Sequence, residues 1–225
     1  MIILDYNKSK HKEIIHTCVK ALKAGKTVVF PTDTSYGLAV DVSNIKAIKK
    51  LYRVKGRSFN KAVSVVVPSV GYSKKIVKWG SIASKLAKKF WPLLRPNGNW
   101  YFVGQAGAIT LVLPLKIYHQ GLKILSSAGF LGLRMPNNKI ALDLAQILKK
   151  PITATSANVA GLPDCYSAAD VIAQFQNKKF KPDIIINAGK LPTRKPSTIV
   201  KIGGDSIQVL RKGMISESSL VRVIR

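Results

Sequence analysis

Apolar residues recur along the chain at two spacings, one helical and one strand-like. Ile14, Ile15, Cys18, Val19 and Leu22 fall on one helical face over residues 10–24, and Gly25 stops that helix. Lys26 to Phe30 read as a strand. Residues 44–54 place Ile45, Ile48, Leu51 and Tyr52 on one side of a second helix, and 63–67 form a buried strand ended by Pro68. Ile76, Val77, Ile82, Leu86 and Phe90 carry the helical rhythm through 73–90, where Trp91-Pro92 ends it. Ile109 to Leu113 reads as a strand, 130–134 as a short strand ending in Arg134, 138–149 as a helix and 151–154 as a strand. A helix over 167–176 starts from a Ser167 cap, and strands at 183–186, 198–202 and 207–210 complete the series. The last strands lie too close together for all of them to be parallel, because a parallel crossover needs about a dozen residues. The pattern therefore predicts an α/β fold, a twisted mixed parallel and antiparallel sheet flanked by helices.

Two segments lack a clear rhythm. Leu93 to Ala108 is rich in Gly, Asn and aromatics, including Trp100, Tyr101 and Phe102, and residues 217–225 read as a loose basic tail. No interdomain linker, internal repeat or low-complexity tract stands out, so residues 1–225 are expected to form one domain.

Composition narrows the class. A hydrophobic share of 47% in 225 residues supports a substantial core, and a mean hydropathy of +0.11 excludes general disorder. No apolar run approaches the ~18 residues that a membrane helix needs. Residues 1–10 lack the apolar core of a signal peptide, so a cytoplasmic protein without membrane partners is expected. Cys18 and Cys165 have no metal-type spacing, and His11, His16 and His119 are scattered, which argues against a protein-held metal. Charge is the outlier. Thirty-seven Lys and Arg against ten Asp and Glu give +27, a balance suited to RNA or to an anionic small ligand such as ATP. Biased source composition would produce the same excess of lysine. The sparse arginines are more informative, since guanidinium forks recognise phosphate and carboxylate bidentately.

The chemistry-bearing stretches sit at element ends. After Val28-Val29-Phe30, Pro31 stops the ladder, and Thr32-Asp33-Thr34-Ser35 sets hydroxyls around one of the few carboxylates. Polar residues just past the carboxyl end of a strand are where α/β proteins bind ligands, although a helix-capping turn would look similar. Lys55 and Arg57 leave a helix two residues apart and can point the same way. Ser156-Ala157-Asn158 follows a strand and precedes Gly161, as either a phosphate-binding nest or an Asx turn. Neither Gly-x-x-x-x-Gly-Lys-Ser/Thr nor Gly-x-Gly-x-x-Gly occurs, so a bound nucleotide would be held by scattered cations and backbone donors. The chain also has no Gly-x-Ser-x-Gly elbow, which disfavours a serine hydrolase.

Taken in order, these segments together with Gly132-Leu133-Arg134-Met135-Pro136, Pro196-Ser197-Thr198-Ile199-Val200 and Leu210-Arg211-Lys212-Gly213 resemble the threonylcarbamoyl-AMP synthase family. Its shared unit is called the YrdC-like domain, and the resemblance runs from about residue 10 to about residue 216. It implies a YrdC-like fold with an open cleft, in the short form without the extra C-terminal domain of longer members. The implied activity is that of a nucleotidyltransferase. L-threonine, bicarbonate and ATP, with Mg²⁺, would give threonylcarbamoyl-AMP and pyrophosphate for tRNA modification, with downstream threonylcarbamoyl-transfer proteins and tRNA as further partners. By the same resemblance Lys55, Arg57, Ser156 and Asn158 form a catalytic quartet around the nucleotide and reacting phosphate, and Asn60 and Arg211 add ATP contacts. Thr34, Arg134, the Ala154 backbone and Ser197 would surround the threonine. The family usually has a short turn where this chain has 93–108, which therefore reads as an insertion: a substrate lid, a surface hairpin or an RNA contact. Departures at Ser58–Ala62, Ser64, Phe130 and Asp164 bear on the peripheral nucleotide contacts. The competing reading is a non-catalytic YrdC-like protein that binds double-stranded RNA or tRNA.

Overall fold

The structure is a computed structural model and describes residues 1–102, 107–116 and 119–225. It begins with β1 (Ile2–Asp5), α1 (His11–Lys23), β2 (Val28–Phe30), β3 (Gly37–Ala39) and α2 (Ile45–Lys55). These are followed by β4 (Val65–Val66), α3 (Val70–Ile76), α4 (Ser81–Phe90), β5 (Leu93–Leu94), β6 (Trp100–Tyr101) and β7 (Ile109–Pro114). The next elements are α5 (Gln120–Leu125), β8 (Phe130–Arg134), α6 (Lys139–Leu148), β9 (Ile152–Thr153) and β10 (Thr155–Ser156). The chain ends with α7 (Ala168–Phe175), β11 (Ile184–Asn187), β12 (Thr198–Gly203), β13 (Ser206–Arg211) and α8 (Glu217–Ile224).

Local chemistry sets several of these boundaries. Asn44 caps α2 by accepting from the Ala47 N–H, and Gly56 ends it with a φ of +59°. Ser167 and Asp170 form a reciprocal capping box on α7. α1 carries Glu13 in its first turn and Lys20 and Lys23 in its last, both favourable to the helix dipole.

The strands are mixed, as expected, but they divide between two sheets. One has the order β1-β11-β2-β3-β10, the other β13-β12-β7-β8-β4-β9, and β5 and β6 make a separate hairpin. The strand expected at 151–154 is what couples the sheets. β9 pairs with β4 in one sheet and β10 pairs with β3 in the other, with Ala154 between them donating its N–H to the Ser64 carbonyl. One apolar cluster packs α1 and α6 over β2 and β11, through Ile15, Leu22, Phe30, Leu144 and Ile186. A larger cluster, with Leu38, Leu51, Leu86, Leu111, Leu133 and Phe175, joins both sheets to α2, α4 and α7.

Two expectations, the single helix over 73–90 and the loose tail, are corrected, and two further segments are filled in. The helix drawn through 73–90 is two helices, because Val77 turns extended and bridges to Leu115. The residue 1–10 segment supplies an edge strand, β1, in parallel register with β11. Residues 217–225 are not a loose tail; they carry α8, capped by Ser216 and packed on α4 through the fully buried Leu220. The 93–108 segment begins as the β5–β6 hairpin, with Leu93 opposite Tyr101, and its residues 103–106 lie outside the described residues. No described helix is long and apolar enough to cross a membrane.

Candidate active site

The site lies where the two sheets meet. Antiparallel pairing sets Ser156 opposite Gly37, so the exit of β10 runs beside the Pro31–Tyr36 loop. β8 ends there with Arg134, and β12 begins there just after Ser197. The end of β13 brings Arg211 opposite Ile199. Around these ends is a cavity of about 220 Å³ whose lining includes Thr34, Arg57, Arg134, Ser156, Ser197 and Arg211. Ala154 lines it as well.

The turn after β13 must pass very close to the start of β12. A side chain at Gly213 would put a carbon 2.2 Å from the Pro196 carbonyl oxygen, so only glycine lets this turn hold Arg211 in place. Arg211 then donates through Nε and Nη2 to the Ser197 carbonyl, at 3.1 and 2.8 Å, and through Nη2 to Ser197 Oγ at 3.0 Å. Ser197 Oγ also lies 3.0 Å from Thr110 Oγ1. Burial and the neighbouring Arg134 charge pull the Arg211 pKa down from its ordinary value. An anionic ligand here would relieve that repulsion.

Arg134 is mostly buried and donates to Asp33 Oδ1 at 2.5 Å and to the Gly107 carbonyl at 3.3 Å. Thr34 is fixed beside it, since Thr32 Oγ1 accepts from the Thr34 N–H at 3.0 Å and lies 3.1 Å from Thr34 Oγ1. Arg57 donates to the Ala62 carbonyl at 2.8 Å, which leaves its buried Nε without a partner. Three guanidinium groups thus face one cavity, and Asp164 is the one acidic side chain among its described lining residues. Asp164 is exposed and accepts only a long contact, 3.5 Å, from Ser35 Oγ.

Lys55 is placed differently from the expectation that it faces the nucleotide. It is 2% exposed and lies outside the cavity lining. Its ammonium donates to the Ser156 carbonyl at 2.5 Å, the Asn158 carbonyl at 2.9 Å and Asn158 Oδ1 at 2.9 Å. All three of its N–H groups are used by the 156–158 turn. Burial, followed by the Arg57 charge, lowers its pKa to about 8. Asn158 is buried too, and its Oδ1 accepts from Ser156 Oγ at 2.6 Å. Within the quartet, then, Arg57 and Ser156 line the cavity, while Lys55 and Asn158 brace the turn that carries Ser156. Asn60 is exposed in the loop after α2 and does not reach the lining.

Phe130 starts β8 at the end opposite Arg134, about 13 Å away at ~3.3 Å per residue, and its ring lies under Lys201 Nζ at 4.1 Å. It does not line the cavity. Ser35, Ser64 and Thr110 do, although none of the three was assigned a ligand contact from the sequence. Thr110 had a visible signal, a hydroxyl between Ile109 and Leu111 in an otherwise apolar strand. Among the described residues no three His, Cys, Asp or Glu side chains gather as a metal cage.

Comparison with known proteins places the fold in a family. The Sua5/YciO/YrdC family model, described as telomere recombination, matches residues 20–213. A Methanocaldococcus jannaschii protein named provisionally as a threonylcarbamoyl-AMP synthase is 31% identical over 220 residues, 98% of this chain and 95% of that one. The Pyrococcus abyssi threonylcarbamoyl-AMP synthase is 29% identical over 99% of this chain, which spans 61% of the longer protein. The crystal structure of P. abyssi Sua5 complexed with L-threonine has a TM-score of 0.81 at 28% identity, covering 99% of this chain and 60% of that one. The chain belongs to the Sua5/YciO/YrdC family.

Proposed function

We propose that the protein is an L-threonylcarbamoyladenylate synthase. It would join L-threonine, bicarbonate and ATP into threonylcarbamoyl-AMP and pyrophosphate in the cytoplasm, for transfer to tRNA by downstream threonylcarbamoyl-transfer proteins. The observation that carries the reading is the convergence of Arg57, Arg134 and Arg211 with the hydroxyls of Thr34, Ser156 and Ser197 on one small cavity. No histidine and no cysteine is among the described lining residues, so the cavity offers charge and positioning and lacks a nucleophile–base pair. The names of the relatives and the threonine bound to Pyrococcus Sua5 point the same way.

In this scheme Arg134 pairs with the threonine carboxylate, and Thr34, Ser197 and the Ala154 backbone hydrogen-bond its remaining polar groups. The threonine amine attacks the bicarbonate carbon, and a C–O bond breaks to release water and leave an N-carboxylate. The resulting carbamate oxygen attacks the α-phosphate in line, and pyrophosphate leaves with the electron pair of the broken P–O bond. Arg57, Arg211 and Ser156 meet the nucleotide and the charge that grows on the α-phosphate. Lys55 and Asn158 hold the turn beneath Ser156, and Asn60 would reach ATP only from the rim. Mg²⁺ enters as part of the substrate, Mg·ATP, and neutralises phosphate charge. The cavity has one carboxylate, Asp164, so water and phosphate oxygens would supply most of its ligands.

Pyrophosphate release tests the proposal directly. The protein with Mg·ATP and bicarbonate should release pyrophosphate only when L-threonine is added. Release that ignores threonine, or no release at all, sinks the reading.

A further inference from the structure

Asp33 has no part in the scheme above and does not line the cavity, yet its side chain is only 4% exposed. The backbone that carries it is tied down on both sides. Thr32 Oγ1 accepts from the N–H groups of Thr34 and Ser35, at 3.0 and 3.3 Å, and donates to the Ser35 carbonyl at 2.7 Å. From this fixed turn Asp33 Oδ1 takes the Nη2 corner of Arg134, and the Gly107 carbonyl accepts from the same nitrogen. Arg134 Nε is buried without a partner. A guanidinium with a purely structural role tends to saturate its five donors. This one is gripped at one corner and left unfilled elsewhere, beside a cavity.

The geometry points to Asp33 as a positioning residue: it pins one corner of Arg134, so the guanidinium meets the substrate carboxylate in a single, preset orientation. The role rests on Arg134 receiving the threonine carboxylate, as proposed above. Asp33 also neutralises Arg134 while the cavity is empty, and a buried guanidinium is tolerated only when paired. The dependence is mutual. Burial pushes the Asp33 carboxyl up, and the Arg134 charge is the main influence pulling it back down.

Gly107 is the second half of the clamp. Its φ is +82°, and a side-chain carbon there would sit 2.0 Å from the Asn137 nitrogen and 2.5 Å from Asp33 Oδ2. Only glycine therefore lets this backbone lie against residues 136–137 and the ion pair, 74 positions along the chain from Asp33 (33 to 107). A methyl group at Gly107 should disturb Arg134 in the same way as loss of Asp33.

The test measures the KM for threonine and for ATP, separately, in pyrophosphate release by wild type, Asp33→Ala, Asp33→Asn and Gly107→Ala, with thermal melts as a folding control. Asp33→Ala and Gly107→Ala should each raise the threonine KM by roughly tenfold or more while the ATP KM stays within about twofold. Asp33→Asn keeps an acceptor at Oδ1 and should fall between wild type and Asp33→Ala. A structural role alone would lower the melting temperature and leave the threonine KM of the folded variants unchanged, which overturns the assignment. An equal rise in both KM values overturns it too. Should Asp33→Ala and Gly107→Ala fail to fold, Asp33→Asn decides, and a wild-type threonine KM in it counts against Asp33. A wild type with no threonine-dependent release refutes the proposed function first, and the role of Asp33 falls with it. That outcome is distinct from an active wild type whose Asp33 variants are unaltered.

Discussion

Replacing Lys55 by Met tests whether this lysine is a brace or a phosphate contact. Methionine keeps the length and apolar character of the stem but removes the ammonium. The Ser156 and Asn158 carbonyls then lose this donor, while Asn158 Oδ1 still accepts from Ser156 Oγ. Each orphaned buried acceptor costs about 1–3 kcal/mol. Ser156 is half-buried at the cavity and can recruit water, so a net loss of roughly 2–4 kcal/mol is expected. For a chain of this length that lowers the melting temperature by roughly 4–16 °C. Lys55 also has a pH signature. Its folded pKa is about 8, against an ordinary value of 10.5 in the unfolded chain. Between those values the unfolded state binds more protons, so rising pH stabilises the fold. From pH 8 to pH 9 the gain is about 1 kcal/mol, a rise of ~2–4 °C. Cys18 and Cys165, pushed up to about 12 from 9.0 by burial, act in the opposite sense and already offset about 0.7 kcal/mol between pH 8 and pH 9, so the Lys55 contribution is read as the difference between wild type and Lys55→Met. Melts followed by circular dichroism at pH 7, 8 and 9 should show wild type gaining this amount relative to Lys55→Met, which shares the cysteines but lacks the titrating ammonium. Pyrophosphate release should fall at least about tenfold as the turn under Ser156 loosens. A variant that melts with wild type and keeps the same pH profile, yet no longer binds ATP, would refute the brace and restore a direct contact.

Other outcomes follow from the same geometry. Arg57→Ala and Ser156→Ala should each lower pyrophosphate release by ~10²–10³-fold, because charge growing on the α-phosphate loses a placed donor; near-normal kcat in both would remove them from the catalytic set. Neither variant should unfold, since Arg57 is exposed enough to line the cavity and Ser156 is half-buried, and a thermal melt checks this. Leu220→Ala should cost ~2–5 kcal/mol of stability while threonine and ATP KM stay unchanged, because the fully buried Leu220 holds α8 onto α4. A melting temperature equal to wild type would show that α8 does not contribute to the fold.

Much of the element plan was legible in the chain. The faces of α1 and α2, the Ser167 cap and the strand ending in Arg134 could all be read because each depends on residues close in sequence. The errors share a cause. α3 and α4 look continuous by periodicity, and only the bridge from Val77 to Leu115 breaks them. α8 looks like a polar tail until α4 covers Leu220. β1 has exposed apolar residues and becomes a strand only because β11 pairs with it. In each case a distant partner decides the local state.

The candidate site divides along the same line. From the sequence alone came the residue types and their places at element ends: hydroxyls around Asp33, an arginine after a helix, another closing a strand, and a serine–asparagine turn. Those positions follow from turn chemistry and hydrophobic period, which act over a few residues. Which charges face the ligand was decided only by the tertiary structure. Lys55 and Arg57 are two residues apart, yet one is buried with all its donors engaged and the other lines the cavity. Asp33 and Arg134 are joined across 101 positions, and Gly107 closes on both. Burial and pairing set the energy of a charge, and both depend on what the rest of the fold brings alongside it.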